Sequence, residues 1–380
     1  KTLGGCSSIN GMIYMRGQSR DYDQWAQLTG DDAWRWEHCL PDFMAHENHY
    51  KFDSSSGLKD AGQADVSPEF RARHGGGGEW RVDKQRLRWD VLDAFAAAAQ
   101  EAGIPATDDF NRGNNEGVGY FEVNQKNGWR WNAAKAFVRP TCYGRPNFEL
   151  WTTAQVTRLL VERGPAGLRC AGAQVWTGSE MLQPRLAEGG ELILSAGSIG
   201  SPQILQLSGI GPGELLQRHG IPVVADLPGV GENLQDHLQI RSVYQVRGAQ
   251  TLNQLASTPW GKARIGLQYL LSRSGPMSMA PSQLGAFTRS SPAFEWPNIE
   301  YHVQPLSLDA FGEPLHRFAA ITASVCNLNP TSRGTVHIKS PRFEDAPAIA
   351  PNYLATPEDR QVAADSLRVT RRIMAQPAMA

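Results

Sequence analysis

Apolar residues recur with helical spacing in two stretches of this chain. Across 91–102, Leu92, Phe95, Ala96 and Ala99 share one face, Asp90 stands where a cap belongs, and Gly103 supplies the stop. A second helical run covers 357–375, and Asn132 opens a shorter helix through Val138 that Arg139-Pro140 closes. Between 148 and 195 the pattern turns to strands, predicted at 149–152, 156–161, 168–176 and 191–195. Gly164-Pro165-Ala166-Gly167 and Thr177-Gly178-Ser179-Glu180 carry turn chemistry between them. Beyond about residue 240 the chain becomes Ser/Pro-rich, with strands predicted at 298–304, 319–325 and 334–338. Two runs, Asp53-Ser54-Ser55-Ser56-Gly57 and the glycines 75–78, read as loops, and no internal repeat is present.

The stretch from Glu191 to His237 adds a strand–turn–helix unit. Leu192-Ile193-Leu194 reads as a short strand and Ala196-Gly197 as the turn. Ser201-Pro202 is the expected helix start, with a capping hydroxyl and a first-turn proline, while Gly209 and Gly211 end the helix. A helix that begins just after a strand directs unpaired N–H groups and its positive dipole end above the sheet edge, which suits a phosphate or another electron-rich ligand. The whole pattern predicts an α/β fold: a nucleotide-binding domain over 1–240, carrying interspersed substrate-side segments, then an α+β domain with an antiparallel sheet over 241–380.

Composition narrows the classes. A chain of 380 residues with 41% hydrophobic and 20% charged residues can bury a large core and is not disordered. A formal net charge of −1 gives no reason to expect nucleic acid. No apolar run approaches the roughly 18 residues that span a bilayer. The cysteines at 6, 39, 142, 170 and 326 are scattered and never spaced as C-x-x-C. That argues against a disulfide framework or zinc site and for a reducing, cytoplasmic setting, with membrane association left open. His46 and His49 could share a helical face, but no third ligand follows, and a solvated surface explains them better than a metal site. Gly113-Asn114-Asn115-Glu116-Gly117 reads as a polar loop.

Two motifs go further. Lys1-Thr2-Leu3-Gly4-Gly5-Cys6-Ser7-Ser8-Ile9-Asn10-Gly11-Met12 resembles the first signature of the glucose–methanol–choline (GMC) family of flavin oxidoreductases, and Met15-Arg16-Gly17 with Asp21-Tyr22-Asp23-Gln24-Trp25 extends the likeness. Gly200-Ser201-Pro202 through Ser208-Gly209-Ile210-Gly211 resembles the second signature. Gly229-Val230-Gly231-Glu232-Asn233-Leu234-Gln235-Asp236-His237 is also similar to that family. Taken alone, the Gly4 loop fits an ordinary Gly/Ser turn equally well; two signatures in the same order favour the family.

The resemblance implies FAD as cofactor, hydride transfer from a substrate carbinol to flavin, and an electron acceptor that is either oxygen or a quinone-like carrier. Matched by position, Gly4, Gly5, Cys6, Asn10, Gly11, Met12 and Ile13 would line the flavin and its diphosphate. Val156 would contact the adenine through its backbone, although core packing explains it as well. Ala196, Gly197 and Ser201 would sit by the diphosphate and ribose. Asp236 and His237 would approach the cofactor, with a structural histidine at a domain junction as the plainer role for His237. His302, on the strand around Tyr301, could face the substrate or be a satisfied structural histidine.

Family members that bind flavin covalently use a histidine in the first signature. Ile9 between Ser8 and Asn10 implies non-covalent FAD here. No complete G-x-G-x-x-G is present; the nearest, at Gly229, has Leu234 at its sixth position. The resemblance places that fingerprint before the Gly4 loop and the catalytic histidine and its partner beyond Ala380. The sequence is therefore expected to be an internal stretch without catalytic residues of its own. Choline-dehydrogenase-like enzymes are the nearest resemblance, but no aromatic cage for a quaternary ammonium is identifiable. The rival reading is an α/β-hydrolase with Ser198 in the near-elbow Ala196-Gly197-Ser198-Ile199-Gly200, and a third is a non-catalytic flavin-binding scaffold.

Overall fold

The computed structural model describes residues 1–54, 66–165, 167–310 and 312–380. Residues 55–57 of the polar run after Asp53, and Ala166 of the first turn, lie outside the described residues. Contacts divide the chain into two units: Lys1–Phe148, Gln239–Leu328 and Val362–Ala380 form one, Glu149–Leu238 and Asn329–Gln361 the other. The boundary expected near 240 is thus one crossing among several.

The first unit holds a five-stranded antiparallel sheet in the order Ile240–Gln245, Ala320–Asn327, Ile299–Gln304, Leu284–Thr288, Gly117–Tyr120. Alternation sends Ile299, Tyr301 and Val303 to one face, where they join Ile321, Ala323 and Val325 in the main core. Val91, Leu92, Phe95, Ala98 and Ala99 of the helix Asp90–Glu101 pack into that cluster, as do Val369 and Ile373 of the last helix. The buried Tyr301 hydroxyl lies 2.9 Å from Thr370 Oγ1 and donates to Ser366 O at 3.1 Å, so the core keeps this phenol satisfied. Trp89 is the N-cap and Asp90 the first helical residue, where its charge meets the positive end of the helix dipole.

In the second unit, Gln155–Gly164 and Gly167–Trp176 form a long hairpin extended by Met181–Leu182. The helix Gly197–Leu207 follows, then two short pairings, Ile210–Gly211 with Ala225–Asp226 and Thr335–His337 with Ala348–Ala350. Gln206 is fully buried and ties these pieces together. Its Nε2 donates to Val230 O (3.1 Å) and Val336 O (3.0 Å), and its Oε1 accepts from Ile338 N at 2.9 Å. Ser208 accepts from Leu159 N at 2.8 Å and fixes the helix end to the hairpin.

Several expected elements differ. Residues 149–152 form no strand, and 191–195 have no regular secondary structure and no ladder partner among the described residues. Ile193 is 83% exposed there, since a strand without neighbours has no sheet face in which to bury it. The helix starts at Gly197, not at Ser201, which leaves Pro202 inside it. The segment after Asn132 is a wide turn, Ala134–Val138, that continues through Arg139–Thr141, because Pro140 sits in a first-turn position where its missing N–H costs nothing.

Candidate functional site

The first signature is held in a specific backbone shape. Gly4 (φ 86°) and Gly5 (φ 58°) are both left-handed and lead into one tight turn, Gly5–Ser8. A Cβ on Gly4 would lie 2.6 Å from Ser8 Oγ and 3.3 Å from Ala134 N, whereas one on Gly5 would meet no atom of the chain within 4 Å. Gly4 is therefore demanded by packing, and Gly5 borders open space. Ser8 Oγ donates to Leu3 O at 2.6 Å and accepts from Asn132 Nδ2 at 2.9 Å, while Ser7 Oγ accepts from Ala133 N at 2.9 Å. Arg130 Nη1 donates to Asn10 Oδ1 (2.8 Å) and Ser7 O (3.2 Å), and the same Asn10 oxygen accepts from Met12 N at 3.0 Å.

These residues lead into the body of the unit. Met12, left-handed at φ 62°, is buried, and its carbonyl accepts from Asn124 N at 2.8 Å; Ile13 bridges to Val123. Gly11 is half-buried, with Pro281 4.0 Å from where its Cβ would lie. Cys6 and Ile9 are exposed. Burial lowers the pKa of Arg130. Burial, then the charges of Arg139 and Arg130, lowers that of Lys135. Lys135, Arg139 and Arg130 thus crowd one another in the segment that holds the loop. Arg130 and Asn132 hold the loop in place and were not legible in the sequence, where an Arg and an Asn flanking Trp131 carry no spacing signal of their own.

The second signature lies in the other unit. Gly197 is left-handed at φ 82°, and a Cβ on it would meet no atom within 4 Å; Ala196 and Gly197 are both exposed. The helix has no side-chain cap, so the donors of its first turn face outward. Ser201 Oγ accepts from Ala196 N at 3.0 Å and so braces the turn instead of capping the helix. Val156 pairs with Val175 beside a register shift, half-buried on the hairpin. Asp236 is exposed and accepts from the Tyr353 hydroxyl, a bond that raises the tyrosine pKa; His237 is also exposed. Ser198 sits exposed in the first helical turn, with no strand before it and no histidine hydrogen-bonded to it among the described residues. Among the described residues, the nucleophile elbow is absent.

His302 lies on the sheet face opposite the main core, its Nε2 3.0 Å from Glu300 Oε1, with the Phe121 ring 5.5 Å away. Gln304 continues the same face. Its Oε1 and both polar side-chain atoms of Gln283 are buried without hydrogen-bond partners among the described residues. Buried amides of this kind call for a polar guest. His46 and His49 do not share a helix: His46 ends Trp36–His46, and His49 lies in the strand Glu47–His49. Far from being solvated, His49 is fully buried against Glu122 (Nε2 to Oε1, 2.7 Å).

Beside it stands a buried ionic cluster. Arg16 Nη2 meets Glu47 Oε2 at 3.0 Å, and His74 reaches Glu47 Oε1 at 3.1 Å and Asp109 Oδ2 at 3.3 Å. Burial works against the charge on His74, but hydrogen bonds to Asp109 and Glu47 and their charges outweigh it and raise its pKa to about 9.

Comparison with known proteins now decides the family. The description GMC oxidoreductase matches residues 1–239 and again 330–380. The chain belongs to the GMC oxidoreductase family. An alcohol dehydrogenase (acceptor) of Pseudomonas putida is 35% identical over 381 residues, across all of this chain and 65% of that protein. An oxygen-dependent choline dehydrogenase of Vibrio vulnificus is 38% identical over 380 residues, across the whole chain and 63% of that protein. The chain thus spans a little under two thirds of these relatives. Among solved structures, an FAD-dependent oxidoreductase from Chaetomium thermophilum superimposes with TM-score 0.79 at 26% identity, covering 100% of this chain and 69% of that one.

Proposed function

We propose that this GMC oxidoreductase binds FAD and oxidises the CH–OH group of a small polar alcohol to a carbonyl. The observation that carries the reading is the Gly4–Met12 loop: an open space over Gly5, backed by Arg130 and fixed by Ser7, Ser8, Asn10 and Asn132. Bound flavin supplies the hydride acceptor. The chain's own part is positional. Gly4, Gly5 and Asn10 present a close backbone surface for a planar ring, and Arg130 keeps that surface rigid; within the other unit, the helix start at Gly197 has no side-chain cap and suits a phosphate. Val156, Ser201, Asp236 and His237 are assigned around the nucleotide on the family match alone. The sheet face of Glu300, His302 and Gln304 offers hydrogen bonds to a polar substrate. Electrons leave to oxygen or a quinone-like carrier.

FAD is held without a covalent bond, because the Ile9 side chain has no lone pair to donate to the ring system. Purified whole protein should be yellow, and its visible flavin band should bleach on anaerobic addition of alcohol and return with an artificial acceptor. Colourless protein that takes up no added FAD would refute the reading.

A further inference from the structure

The helix Pro259–Ser272 buries none of its residues. It is nevertheless well made. Thr258 Oγ1 accepts from Gly261 N at 3.0 Å, Pro259 occupies the first turn, and Arg273 at φ 51° ends it. Its inner side is slight: Gly261, Ile265, Gly266 and Tyr269 are partly covered, and the Tyr269 hydroxyl donates to Gly128 O at 3.2 Å. At about 100° per residue, Trp260, Leu267, Leu270 and Leu271 fall within an arc of roughly 100° on the outer side. They are 80%, 57%, 67% and 79% exposed. Water-facing helices usually show the reverse pattern, and a concentrated apolar face of this kind marks an interaction surface.

Charge says which surface it fits. Between Gln239 and Phe294 the chain carries Arg241, Arg247, Lys262, Arg264, Arg273 and Arg289 and no acidic residue, although its net charge is −1. Lys262 and Arg264 lie exposed on the helix itself. Leucines with a tryptophan on one arc, an arginine at its border and no acidic residue on the helix are the composition of a helix that lies in a lipid interface. Among the described residues no helix is long and apolar enough to cross a membrane. We propose that Pro259–Ser272 lies flat on an anionic lipid surface, with Trp260, Leu267, Leu270 and Leu271 seated at the headgroup–acyl boundary and Arg264, which borders that arc, on a lipid phosphate. The proposal involves neither flavin nor substrate, so it stands or falls apart from the proposed activity.

The test is co-sedimentation of the purified whole protein with vesicles. Phosphatidylcholine containing phosphatidylglycerol should carry the protein down at about 0.1 M salt, and pure phosphatidylcholine should bind it roughly tenfold more weakly. The double variant Leu270→Ser, Leu271→Ser should lose at least about tenfold in vesicle binding. Arg264→Glu should weaken the preference for anionic lipid about tenfold. All three positions are exposed, and an unchanged circular dichroism spectrum and melting curve would show that the fold is intact. Failure to sediment with anionic vesicles, or unchanged binding by the leucine variant, would overturn the proposal. So would a dimer in light scattering that the leucine variant splits while vesicles bind neither form, which would assign the face to a second copy of the chain.

Discussion

Gly4 and Gly5 are neighbours that need glycine for different reasons. At Gly4 a methyl group would press on Ser8 Oγ at 2.6 Å in a left-handed backbone, so Gly4→Ala should cost roughly 2 kcal/mol in urea unfolding. At Gly5 only the backbone angle objects, and Gly5→Ala should cost about 1 kcal/mol. Gly5→Val should go further and strip the protein of flavin while it still folds, because the branch would enter the open space over the loop. Equal unfolding midpoints for the two alanine variants would contradict this account. Gln206 is the residue-scale counterpart in the second unit. Replacing it with leucine leaves Val230 O, Val336 O and Ile338 N without their partner and should cost about 3 kcal/mol.

Among elements, the segment Arg130 to Ala133 does most to shape the Gly4–Met12 loop. Its contacts are fixed hydrogen bonds, so Arg130→Met should leave the sheet and core intact and free Asn10 and Ser7 to move. Losing about 1.4 kcal/mol of positioning would raise the FAD dissociation constant tenfold. A constant within twofold of the parent, measured by fluorescence titration, would show that Arg130 does not support the loop. The helix Gly197–Leu207 shows a limit of local reading. Ser201-Pro202 has the composition of a helix start, yet the hydroxyl is occupied by Ala196 N and the helix begins four residues earlier. A capping residue declares a preference, and the neighbouring backbone decides whether it is used.

For the whole molecule, the buried cluster of Arg16, Glu47, His74 and Asp109 joins parts of the chain far apart in sequence. His74 titrates near 9 when folded against 6.5 for a free side chain. Its folded pKa is raised, so its contribution is complete below about pH 6.5 and fades as pH rises through 9. That contribution is about 3 kcal/mol. The unfolding free energy should therefore decline from pH 6.5 to 9, and His74→Gln should flatten that slope while lowering stability below pH 6.5. A parent whose stability is flat across this window would remove the charged state assigned to His74. On acid precipitation, a protein that holds FAD without a covalent bond should release all its colour, whereas colour retained in the washed pellet would point to attachment at Cys6 or Tyr14.

The sequence by itself determined the family, both glycine signatures, the helix at Asp90–Glu101 and the sheet strands around Tyr301, because each rests on a local pattern: glycine spacing, a 3.6-residue period, or alternation. Only the tertiary structure decided the rest. It left 191–195 unpaired, since pairing is a property of neighbours and not of the strand. It buried His49 on Glu122 where composition suggested solvent, and it set Arg130 behind Asn10 across a separation in sequence that no motif spans. It also turned four apolar residues of Pro259–Ser272 outward. Hydrophobic periodicity says that a helix has an apolar face, but which way that face points depends on what the rest of the molecule offers to cover it.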